Sequence, residues 1–217
     1  MKGKLRYLTV SMLLLFVLLP FLEGGTIRRM ILDILTSAVL FFGIYAVSYD
    51  RKKVVIALAF ALPWFVSAWV ELLSSTPSLI LGSISTVFLI LFYAFTAIAI
   101  LSFVLKSEQV SQDVLYGAVS IYLLIGGIWF AIYALIETLR PGSFVIDPVY
   151  NIDGVVNWPD FLYYSFTTLT TLGYGDIIPV TSLARSFAVL EAIIGVMYLA
   201  VIISRLVGLY IARSIKP

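Results

Sequence analysis

Several apolar runs in this 217-residue chain exceed the roughly 18 residues that mark a membrane-spanning helix. That constrains the fold more than any other feature, because lipid offers no hydrogen bonds and a spanning backbone must satisfy itself. Sixty-two per cent of the residues are hydrophobic and 12% are charged, with a mean hydropathy of +1.09. A soluble domain carries about twice that charge. The chain has no cysteine and no histidine. Disulfides and thiolate metal sites are therefore excluded, and zinc, haem and imidazole chemistries lose their main ligand. A net charge of +2 gives no reason to expect nucleic acid as a partner. No nucleophile–base pair or metal-ligand cluster suggests an enzyme, and no organic cofactor is expected.

The apolar runs divide into six predicted spans: 7–22, 30–48, 54–73, 79–105, 114–139 and 182–212. Pro63 is expected to kink the third. The first run, behind Lys2, Lys4 and Arg6, also suits a secretory signal, but a clear small-x-small cleavage site is missing before Glu23. A retained helix is the favoured reading. Basic residues set the orientation. With the N-terminus inside, Lys2, Lys4, Arg6, Arg51, Lys52, Lys53, Lys106, Arg213 and Lys216 are cytoplasmic, whereas Arg28, Arg29, Arg140 and Arg185 lie outside. Both termini are then cytoplasmic in a multi-pass cell-membrane protein.

Between the fifth and sixth runs lies a polar, glycine-punctuated loop, 140–181. Such a segment is costly at membrane depth unless it lines a cavity or packs inside protein. Its first part, 140–157, reads as an extracellular turret. Trp158-Pro159-Asp160 then suits a helix start, with proline in the first turn and an acid at the positive end. The stretch 161–169 gives under three turns, about 15 Å, too short to span. It is expected to re-enter from outside, its negative C-terminal end aimed at a site for a cation. Thr170-Thr171-Leu172-Gly173-Tyr174-Gly175-Asp176 follows. Alternating glycines accept left-handed angles and let successive carbonyls face one way. One such strand alone exposes oxygens that it cannot satisfy itself.

The string 171–176 resembles the selectivity filter of the potassium channel family. Tyr163-Tyr164-Ser165 stands where that family pairs aromatics on its pore helix, and Gly195 where its inner helix has a hinge glycine. The stretches 187–192, 198–201 and 205–208 resemble the inner helix of bacterial members, so a prokaryotic origin is expected. The likeness covers about 114–212.

The resemblance implies an all-α membrane protein of six transmembrane helices, with a re-entrant pore helix and filter loop between the fifth and sixth, assembled as a homotetramer. A four-helix unit, 1–110, would occupy the voltage-sensor position, and 111–217 would form the pore. Thr171, Leu172, Gly173 and Tyr174 would coordinate K⁺ through backbone oxygens, and Gly175 would close the outer site. Tyr163, Tyr164, Thr167, Thr168 and Asp176 would support the filter, with Tyr163 bonding Asp176 and Tyr164 bracing Tyr174. Val196, Leu199, Ile203 and Val207 would line the pore and gate, although their spacing also suits a packing surface. Gly195 is either a hinge or a close-packing position.

Leu172 stands where valine is commoner in the family, and Thr167 where some relatives have an acid. Run 79–105 has no basic residue, so steep voltage dependence is not expected. Glu191 is expected behind the filter, either bonding Thr167 or Thr168 or making a simple structural hydrogen bond, and Asp33 is expected to pair with Arg29. The expected function is passive, K⁺-selective transport. A non-selective cation channel or a non-conducting scaffold is the alternative, and a K⁺ uptake subunit is disfavoured because such proteins usually carry four filter loops per chain. The gating stimulus and any regulatory partner stay open.

Overall fold

The computed structural model describes residues 3–18, 26–74, 78–147, 149 and 156–214. Seven helices follow in order: α1 Lys4–Leu18, α2 Thr26–Val47, α3 Arg51–Leu73, α4 Leu79–Lys106, α5 Gln112–Leu139, α6 Trp158–Leu169 and α7 Ser182–Ser214. Five of them, α2 to α5 and α7, are long and apolar enough to cross a membrane. The described part of α1 is 15 residues, about 22 Å at helical rise. Six spans were expected; a sixth would need residues 19–22, which lie outside those described. The Arg29 side chain expected to pair with Asp33 also lies outside them. Helix α3 continues through Pro63.

Helix starts follow their caps. The Asp50 side chain accepts from the Lys52 amide at 2.9 Å, and the Ser111 hydroxyl accepts from the Val114 amide at 3.3 Å. At the cytoplasmic-facing end expected for α4, the Arg205 guanidinium of α7 donates to the Leu105 and Ser107 carbonyls at 3.0 and 3.1 Å. A cation is favourable at such a C-terminus.

Helix α1 is part of the packed body: Leu5, Leu8, Met12 and Leu15 are buried. It lies against α2 and α5, and its Phe16 ring meets Phe166 of α6 edge-on at 4.6 Å. Helix α5 forms the centre of the body, touching α1, α4, α6 and α7. Helix α7 is the contrast, with 17% of its apolar stretch buried.

One feature departs from an all-α chain. Phe144–Ile146 (β1) and Ile177–Pro179 (β2) form an antiparallel ribbon in which Val145 faces Ile178. The Glu137 carboxylate shapes the turn into it by accepting from the Gly142 and Phe144 amides at 2.6 and 3.1 Å. The ribbon joins the loop before α6 to the segment after it.

Candidate functional site

The short helix α6 is built to hold one position. Asp160 accepts from the Asn157 amide at 2.7 Å, closing the first turn around Pro159. At 12 residues, about 18 Å, it cannot cross a bilayer. Phe130 meets Trp158 at 4.5 Å, and Phe161, Tyr164, Phe144 and Tyr133 form a ring cluster with spacings from 5.1 to 5.5 Å. Lower down, Gly126 of α5 leaves room for the Phe166 ring, which a Cβ there would strike. At its C-terminal end the Leu169 carbonyl is seated against Gly195 of α7.

The last carbonyls of α6 then organise the loop. The Thr170 amide donates to the Phe166 carbonyl at 3.1 Å and the Thr171 amide to that of Thr168 at 2.9 Å. The Thr167 carbonyl accepts from Leu172 at 2.8 Å and Gly173 at 3.1 Å. At the far end the Asp147 amide donates to the Asp176 carbonyl at 3.1 Å, so the ribbon ties down the exit.

Between these anchors the backbone alternates in hand. Thr171, Gly173 and Gly175 have φ of 62°, 54° and 78°, while Leu172 and Tyr174 keep negative φ. For threonine that region is uncommon and costly. Alternating hand brings successive carbonyls toward one side, which an extended strand does not do. Among the described residues, none of the carbonyls from Thr171 to Gly175 accepts a hydrogen bond. Five consecutive backbone acceptors are left to something outside the chain.

The supporting residues fall in three groups. Tyr163 and Tyr174 lie ring-parallel at 6.5 Å, both exposed. Tyr164 turns the other way, buried against Tyr133 and Phe144, so the aromatic beside Tyr174 within one chain is Tyr163. Thr167 is buried and donates to the Tyr164 carbonyl at 3.0 Å; Thr168 is half-buried one position on. The Asp176 carboxylate accepts from the Ile177 amide at 3.1 Å.

Glu191 has other partners than the threonines expected. It is fully buried; the Tyr133 hydroxyl donates to its Oε2 at 2.5 Å, and its Oε1 lies 2.6 Å from Ser165 Oγ. Ser165 Oγ is also 2.9 Å from the Gly126 carbonyl. The rotation of α6 turns Ser165, rather than Thr167 or Thr168, toward α5 and α7. Ser165 stood inside the recognised Tyr-Tyr-Ser string without a role, and nothing local in the sequence marks Tyr133.

Val196, Leu199, Ile203 and Val207 are all exposed on α7. Met197 and Val201 on other faces are exposed as well, so most of this helix is uncovered in the single chain. Helix α7 runs unbroken through Gly195.

This part of the chain is similar to ion channels. Residues 117–211 match the family model described as "Ion channel", spanning α5 to α7. Over 83 residues, 38% of this chain and 22% of the relative, the chain is 36% identical to the inward rectifier potassium channel Kirbac3.1 of Paramagnetospirillum magnetotacticum. Over 56 residues, 25% of this chain and 60% of the relative, it is 38% identical to the potassium channel protein kcv of Paramecium bursaria Chlorella virus 1. These likenesses are to channels and not to enzymes, and each leaves much of the relative unmatched. No solved structure matches.

Proposed function

We propose that the chain is one subunit of a homotetrameric, K⁺-selective channel that passes the ion passively down its gradient. The observation that carries this is the run of unpartnered carbonyls from Thr171 to Gly175 on a backbone of alternating hand. In hydrocarbon such acceptors are tolerated only where they face protein or a water-filled path. Four copies around an axis make oxygen cages that replace an ion's hydration shell, the device for which potassium channels are known. Thr171, Leu172, Gly173 and Tyr174 supply the cages, the Thr171 hydroxyl adds the innermost ligand, and Gly175 closes the outer site. The C-terminal end of α6 places partial negative charge below them.

The uncovered face of α7 fits the same reading. Val196, Leu199, Ile203 and Val207 line the inner cavity and gate, and the remaining exposed apolar side chains meet neighbouring subunits and lipid. Residues 1–110 form a unit in the voltage-sensor position, 111–217 form the pore, and both termini are cytoplasmic.

Purified protein in planar bilayers under opposed K⁺ and Na⁺ gradients tests the proposal. A reversal potential near the K⁺ equilibrium value is expected. Reversal near zero would mean a non-selective pore, and absence of current with assembled protein would mean a scaffold.

A further inference from the structure

The buried group between Tyr133, Ser165 and Gly126 holds more than a tie. Ser165 has one hydroxyl proton and two close oxygens, the Gly126 carbonyl at 2.9 Å and Glu191 Oε1 at 2.6 Å. The carbonyl can only accept. If the serine proton goes to Glu191, the Gly126 contact has no proton. If it goes to Gly126, the shorter contact to Glu191 needs a proton from the other side. A protonated Glu191 resolves both: its hydroxyl donates to Ser165, Ser165 donates to Gly126, and Tyr133 donates to the remaining carboxyl oxygen at 2.5 Å. Each of the three protons then has one acceptor and each close contact one proton.

The electrostatics agree. Both side-chain partners of Glu191 are neutral hydroxyls, and the carboxyl is fully buried between α6 and two helices, α5 and α7, that are long and apolar enough to cross a membrane. An isolated ionised carboxylate in such surroundings costs several kcal/mol, whereas the neutral acid is a donor and acceptor that the site can satisfy.

We infer that Glu191 is a positioning residue that works as a neutral carboxylic acid, a proton-bearing link fastening α6 to α5 and α7 at the height of Ser165. It touches no ion. Its action on the carbonyls of Thr171 to Gly175 runs through α6, whose C-terminal carbonyls hold the amides of Thr171, Leu172 and Gly173. This part rests on the channel reading, whereas the protonation does not.

The experiment has two arms on purified, lipid-embedded full-length protein. In the first, infrared difference spectra of wild type against E191Q at neutral pH are read for the carbonyl stretch of a protonated carboxyl. Its presence in wild type and loss in E191Q is expected; its absence from wild type overturns the protonated link. In the second, reversal potentials are compared. Glutamine keeps a donor and an acceptor in the same shape, so E191Q is expected to retain the wild-type value. E191L, which keeps volume but no hydrogen bond, is expected to move reversal toward zero. Where E191L does not assemble, S165A, which removes the relay and leaves Glu191 in place, is expected to move it in the same direction. Wild-type selectivity in E191L or S165A overturns the positioning role, and so does loss of selectivity in assembled E191Q. A wild type that is itself unselective defeats the channel reading alone, because the infrared arm still decides the protonation.

Discussion

At the scale of single residues, the loop depends on backbone angles more than on side chains. Gly173 has φ of 54°, and a Cβ placed there would meet nothing within 4 Å of its own chain. Within one chain the obstacle to a larger residue is therefore strain and not collision. A left-handed angle costs a non-glycine residue roughly 1–2 kcal/mol. In a tetramer that cost is incurred four times around one axis, about 4–8 kcal/mol in all. G173A is thus expected to fold and insert while losing K⁺ selectivity, read as reversal moving toward zero. Wild-type selectivity in G173A would show that this angle does not set the cage. Thr171 carries the same strain without glycine's freedom, and the anchoring of its amide to the Thr168 carbonyl at 2.9 Å offsets part of it.

At the scale of elements, Gly195 sets how closely α6 approaches α7. A Cβ there would strike the Leu169 carbonyl, the last of α6. Two effects of G195A oppose each other: alanine gains about 1 kcal/mol of helix propensity over glycine, and overpacking costs typically 1–3 kcal/mol. Backbone against Cβ gives little room to relax, so the packing term should win. G195A is expected to lower the melting temperature in detergent, and G195V to lower it further. A melting temperature raised by alanine would assign the glycine to bending alone.

Long helices were legible because their apolar runs and caps are local, and the start of α6 was legible in Trp158-Pro159-Asp160. The ribbon was not, since Phe144–Ile146 and Ile177–Pro179 are three residues each and pair across more than thirty positions. The partners of Glu191 were not, because the rotation of α6 about its axis decides whether Ser165 or a threonine two or three positions on faces it. The loop 170–176 was legible as a motif, whereas its positive angle at Thr171 required the fold.

For the whole proposed channel, the question at its pore is whether the membrane field can drive it. In the proposed channel α4 would take the place of a charged sensor, yet within Leu79–Lys106 the only basic residue is Lys106 in the last turn. Moving one elementary charge across 100 mV supplies about 2.3 kcal/mol, so steep voltage dependence needs several such charges per subunit. A helix with none across its span supplies nothing of that kind. Residues 1–110 and 111–217 are joined by the packing of α4 and α1 on α5, by Phe16 against Phe166, and by Arg205 of α7 donating to the carbonyl end of α4. In the proposed channel, the absence of basic residues from residues 79–105 leaves the field no charge on α4 to move. Open probability from single-channel recordings between −100 and +100 mV is expected to vary only weakly with voltage, and gating currents should be undetectable beside the ionic current. Several elementary charges moving per subunit would mean that charge outside α4 senses the field, and would overturn the expectation of weak voltage dependence.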